Sequence, residues 1–178
     1  MTQIFLSSQS DQKGFSLIET LVAVSILMLA VVGPLTIASK GLNSAQFARD
    51  QIIAFHLARE ATELIRNRRD TNMLPEGADP AAWLNGLAAC QSPSLCIVDP
   101  MTMVFSSCPG GVCPPLRRSA NGVYGYNAAW TRTGFTRSIT GEELVPGVEV
   151  VAHVTVSWRT GALTKSFIIN EHFFNWRQ

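Results

Sequence analysis

Between Thr20 and Ser39 the chain carries no charged residue. That absence excludes an ordinary solvated surface helix, and a run of this length spans a hydrocarbon core as an α-helix. Histidine is scarce: His56, His153 and His172 read as surface or core side chains. His153 and His172 are expected as neighbours across a hairpin, which keeps a metal or acid–base pair as a minor alternative. No glycine-rich phosphate cradle exists, since Gly110-Gly111 falls between cysteines, and Ser106-Ser107 beside Cys108 carries no hydrolase signature. Cysteine is missing outside positions 90–113. Dense basic runs are missing too. With 14 Lys and Arg against 13 Asp and Glu, the net charge is +1, which excludes a charge-driven nucleic-acid surface. The nearest approach to a basic run, Arg66, Arg68 and Arg69, reads as a solvated helix end favoured by the C-terminal dipole. A phosphate or lipid-headgroup contact is the sharper alternative for it. There is no internal repeat and no low-complexity tract. These absences leave no catalytic constellation, no cofactor and no nucleic-acid partner to assign.

What is present starts at Lys13-Gly14-Phe15-Ser16-Leu17-Ile18-Glu19-Thr20. A basic residue and a glycine precede a phenylalanine, and a lone carboxylate, Glu19, stands at the start of the apolar run. An acidic side chain costs about 2.5–3.5 kcal/mol at the centre of a membrane helix and less near its end. A secretory signal peptide is the competing reading, with a charged start, an apolar core and a small-residue cleavage site after it. Here Met1 to Gly14 is polar, its Asp11 and Lys13 cancel, and no clear small-x-small site follows Ser39. The span is therefore expected to stay attached as an anchor.

From Lys13 to about Arg69 the chain resembles type IV prepilins and type II secretion pseudopilins, with their class III signal. The resemblance implies cleavage between Gly14 and Phe15 by a prepilin peptidase, followed by N-methylation of Phe15. Glu19 then becomes the fifth residue of the mature chain. In lipid an unpaired charge is costly and an opposite charge nearby is favoured. Glu19 of one subunit is thus expected to meet the terminal amine of another and set their register. The implied partners are the membrane, the peptidase/N-methyltransferase, other pilin or pseudopilin subunits and the inner-membrane assembly platform.

The fold expected is α+β: a long N-terminal helix, membrane-spanning then amphipathic, packed on a small antiparallel β head. The domain reading is a leader at 1–14, an anchor and filament-core helix at 15–39, its amphipathic continuation at 40–69 and a head at 70–178. Gly33-Pro34 marks an expected helix break, as a kink or as local melting, because proline removes a donor and crowds the preceding turn. In the second half Phe47, Ala54, Ala58, Ala61 and Ile65 share a stripe widened by Ile53, Leu57 and Leu64. Arg59–Glu63 and Glu63–Arg66 are spaced for weak surface pairs. Asp79-Pro80 reads as a cap and first-turn proline. The stretch 90–116, with five prolines and four cysteines, reads as loop. Strands are expected at 122–126, 130–137 and 148–158, the last alternating apolar and polar. A hairpin turn at Arg159-Thr160-Gly161-Ala162 then returns the chain as a partner strand, 163–174.

The family orientation places the head outside the cytoplasm, where disulfides persist. Four cysteines allow three connectivities. The favoured one joins Cys90 to Cys96 and Cys108 to Cys113, each tying a small loop. Zinc is the alternative, against which the first pair is too widely spaced. The reading is a structural subunit and not an enzyme. Around Phe55 to Asp70 it looks like the minor, PilV-like pilins of the type IV pilus modification group. A minor pseudopilin is the runner-up, and an anchored extracytoplasmic binding module or enzyme that never assembles is the alternative of another class.

Overall fold

The computed structural model describes Gly14 and residues 16–177. Residues 1–13, Phe15 and Gln178 lie outside the described residues, and with them most of the expected leader 1–14. One long helix, α1 (Leu17–Met73), is followed by a small antiparallel sheet. Its strands are β1 (Cys96–Asp99), β2 (Val104–Ser107), β3 (Pro115–Arg118), β4 (Tyr124–Gly125), β5 (Thr131–Val145), β6 (Glu149–Thr160) and β7 (Leu163–Phe174). The chain divides into two compact units, Met1–Ala45 and Gln46–Gln178.

In the first unit every described residue is exposed, including large apolar side chains such as Leu17, Ile26, Leu29, Leu35 and Ile37. At Gly33-Pro34, where a kink or local melting is expected, α1 remains helical. A single proline forfeits one i→i−4 bond, and its fixed φ is itself close to helical. The hydroxyls inside the apolar run are satisfied locally, Ser25 donating to the Leu21 carbonyl at 2.8 Å and Thr36 to that of Val32 at 2.9 Å. Such back-bonding lets a polar residue sit in lipid without an orphan donor.

The second unit has one core. On α1, Ala54, Leu57, Ala58, Ala61 and Ile65 are buried, while Phe47, Ile53 and Leu64 pack partly buried around them. The three alanines are fully covered, so this face of the helix approaches its neighbours closely. The helix continues past Arg69 to Met73, whose side chain is completely buried and so holds the last turn to the core. From the sheet come Phe135, Ile139, Val150, Ala152, Val154, Val156, Trp158 and Phe173. Fully burying a side chain of the Leu or Phe kind is worth about 1.5–3 kcal/mol. β6 shows the alternation its sequence implies, with Val150, Ala152, Val154, Val156 and Trp158 buried.

β5 is the centre of the sheet. Along one edge it pairs with β6, which pairs with β7; along the other it meets β1 at Ile139 and β3 from Thr131 to Thr136. β2 flanks β1 and β4 flanks β3. β5 extends eight residues beyond the expected end at Arg137, reaching Val145. Its second half lacks a clean apolar alternation and contains Gly141, which hid it. The Gly141 carbonyl accepts the Ser92 amide at 2.8 Å, which ties the segment before β1 to β5.

The stretch 90–116 is not simply loop. β1 and β2 form a hairpin in which Cys96 faces Ser107 and Asp99 faces Val104. The prolines stand at strand ends and in turns, Pro100 after β1 and Pro115 at the first position of β3, where no ladder donor is lost. Cys90 is bonded to Cys96 and Cys108 to Cys113. Asp79 caps the short turn Pro80–Ala82, its carboxylate accepting the Ala81 amide at 2.9 Å. Gly161, with φ +60°, is the first residue of the two-residue β6–β7 turn, where a positive φ favours glycine.

Candidate functional site

Two features stand out: the start of α1 and a buried arginine in the head. At the helix start, Gly14 is exposed and non-helical, and helical structure begins at Leu17. Ser16 is the cap. Its Oγ accepts the Glu19 amide at 3.2 Å and its carbonyl accepts the Thr20 amide at 3.2 Å. The spacing Ser16-x-x-Glu19 is that of a capping box, a signal legible in the sequence that the reading of it passed over. Glu19 occupies the first turn, where the positive end of the helix dipole favours a carboxylate. Among the described residues its side chain has no ion-pair partner. Of the expected cleavage pair Gly14–Phe15, only Gly14 lies among the described residues.

In the head, Arg137 on β5 has no exposed surface. Its guanidinium donates to the Leu57 carbonyl at 3.0 Å, to Glu60 Oε2 at 2.7 Å and to the Val98 carbonyl at 2.8 Å. One side chain therefore ties α1, β5 and β1 together. Sequence inspection missed it because Arg137 stands in an alternating strand among other exposed polar residues. Beside it the Tyr126 hydroxyl is buried and, among the described residues, has no hydrogen-bond partner. Burial raises the Tyr126 pKa above its usual value, and the nearby Arg137 charge only partly offsets this. The neutral phenol is the form favoured by folding. Its contribution is complete below the unfolded pKa of about 10 and is lost as the pH rises through the folded value. Tyr126→Phe is expected to leave stability at pH 7 within about 1 kcal/mol of the parent and to flatten the decline above about pH 10. Urea midpoints at neutral and alkaline pH check this; parallel declines in parent and variant would show that Tyr126 does not drive it.

The arginine cluster at the end of α1 is not a free solvated end. Arg66 binds Glu63 at 2.7 Å and also Glu171 on β7. The hydrogen bond it donates to Glu63 leads in raising its pKa, and burial works against it. Arg68 donates to the Met103 carbonyl at 2.6 Å, and Arg69 pairs with Asp70 and lies over the Phe173 ring. These contacts dock the helix onto its own head. The expected Arg59–Glu63 pair is not made: Arg59 lies 5.9 Å over the Phe55 ring. His153 and His172 are diagonal rather than opposed. His153 faces Asn170, with Nδ1 2.8 Å from its Oδ1, and His172 Nδ1 stands 2.7 Å from Glu149 Oε1. Among the described residues no group of three or more His, Cys, Asp or Glu could hold a metal ion. With both cysteine pairs oxidised, no thiolate remains for zinc.

A family model described as the prokaryotic N-terminal methylation motif matches residues 9–33. No curated protein and no solved structure matches the chain. The matched segment covers Gly14 and Phe15, the Ser16 cap, Glu19 and most of the uncharged run. It supports a class III signal of the type IV prepilin kind on a pilin- or pseudopilin-like chain. It also implies membrane association and processing by a prepilin peptidase. The single long apolar helix fits a single-pass anchor.

Proposed function

We propose that the chain is a minor, PilV-like subunit of a type IV pilus. It is inserted in the inner membrane through residues 15–39, with its head outside the cytoplasm. It is cut between Gly14 and Phe15, methylated at Phe15 and assembled through its N-terminal helix. The observation that carries this reading is the methylation motif lying on a capped, wholly exposed apolar helix with a lone carboxylate in its first turn. Among the described residues nothing covers an apolar surface of that length, and lipid followed by neighbouring helices supplies the cover. Glu19 then finds its counter-charge in the terminal amine of another subunit, and Gly33-Pro34 is where the helix loosens in the fibre. The head needs no active site in this role; its two disulfides suit an extracytoplasmic compartment.

Co-expression with a prepilin peptidase tests the first step. Mass spectrometry is expected to find a chain beginning at methylated Phe15, and Gly14→Val to leave Met1 in place. An intact amino terminus in the parent, or a cut elsewhere, overturns processing. The finished subunit is expected in sheared pilus fractions. Its absence there, with a secretion defect on deletion, would instead assign it to a type II secretion pseudopilus.

A further inference from the structure

We propose that one end of the head's sheet is a membrane-facing surface that holds the head against anionic phospholipid headgroups. The inference rests on the anchor reading above. Three strands are charge-polarised. β5 carries Arg132 near its start and Glu142 and Glu143 near its end; β6 starts at Glu149 and carries Arg159 near its end; β7 has Lys165 early and Glu171 late. Neighbours run antiparallel, with Thr136 facing Ser157 and Arg159 facing Thr164. The cations therefore gather at one end and the carboxylates at the other. β3 adds Arg118 opposite Thr131. The helix adds Arg49, which lines one groove with Arg118 and Thr131, while Lys165 Nζ lies 5.9 Å over the Phe47 ring.

Arg49, Arg118, Arg132, Arg159 and Lys165 are all exposed. Among the described residues none of them is ion-paired. Two carboxylates stand near them: Asp50, in the same groove, and Asp99, whose Oδ1 already accepts the Met101 amide. The surface is thus strongly positive although the chain is nearly neutral.

This is also the end at which the head unit begins, at Gln46. The uncharged run stops at Ser39, so only Lys40–Ala45 separates it from the head. Those six residues span about 9 Å as helix and about 20 Å fully extended. As helix, the tether is short enough to bring the start of the head to about one Debye length from the headgroups. Each Lys or Arg near an anionic leaflet favours association about fivefold, and Lys40 in the tether adds another. The acidic end of a second copy is a poorer partner. There Glu143 accepts the Gly147 amide at 2.6 Å and Glu149 contacts His172, so part of that charge is already engaged.

The test uses the full chain in lipid nanodiscs, containing either phosphatidylglycerol or phosphatidylcholine alone, with hydrogen exchange read at segments 117–132 and 157–166. Exchange there is expected to slow at least about fivefold in the anionic discs and to return to the phosphatidylcholine rate in about 0.5 M salt. Arg132→Gln with Arg159→Gln is expected to abolish most of the slowing while exchange at segment 140–150 stays as in the parent. Equal protection in both lipids, or protection that ignores salt, overturns the inference. So does protection that rises with the number of chains per disc, which would assign the surface to a second copy. A chain that leaves the discs under an alkaline carbonate wash overturns the anchor and the inference together. A retained chain with an unprotected basic end overturns the inference alone.

Discussion

Arg137→Ala is expected to destabilise the head by about 3–5 kcal/mol, from the cavity and the unmet acceptor it leaves. The side chain is fully buried, and its removal opens a cavity at the junction of α1, β5 and β1. It also strands the Val98 carbonyl, at about 1–3 kcal/mol for an unmet buried acceptor. The Leu57 carbonyl lies inside a helix and keeps its backbone partner, and Glu60 is partly exposed and can turn to water. Arg137→Met separates volume from charge. It fills most of the space without burying an ion, and it is expected to recover at least about half of the loss, since apolar replacement of a buried ion is often well tolerated. Denaturant midpoints at unchanged slope measure both variants. An alanine variant within about 1 kcal/mol of the parent would show that Arg137 is not the tie between helix and sheet.

Glu19→Ala is expected to insert and be cleaved normally, yet to enter filaments at least about tenfold less often than the parent. The magnitudes explain why a partner is needed. A carboxylate costs up to about 2.5–3.5 kcal/mol in a membrane helix. The first-turn dipole, to which the Ser16 cap commits Glu19, returns only about 0.3–1 kcal/mol. At the mid-helix value the remainder exceeds the 1.4 kcal/mol that corresponds to a factor of about ten, and an opposite charge on another subunit can supply it. Glu19→Gln removes the charge at nearly constant shape and is expected to behave like alanine. Quantitative immunoblotting of sheared fibres against membranes reads the ratio; normal incorporation of both variants would sink the register role.

Most of the architecture is legible in the residues. The uncharged run, the stripe through Ala54, Ala58, Ala61 and Ile65, and the alternation of β6 each repeat one period long enough to be unambiguous. The hairpin β1–β2 escaped because its strands are only four residues long and are flanked by prolines and cysteines that signal loop. The second half of β5 escaped because its polar residues and Gly141 carry no period; its pairing to β6 is what makes it a strand. At the helix start the motif was legible down to Gly14, Phe15 and Glu19, and only the hydroxyl contribution of Ser16 was overlooked.

The sequence by itself determined the anchor, the processing signal and the division into helix and sheet, because those depend on local composition and period. Tertiary structure decided what long-range contact alone can create. Arg137 became a buried tie because β5 turned it inward onto α1. Arg66 and Arg68 became docking contacts because β7 and the β1–β2 turn came within their reach. Arg49, Arg118, Arg132, Arg159 and Lys165, scattered through more than a hundred residues, became one positive surface because antiparallel strands bring the end of one segment beside the start of the next.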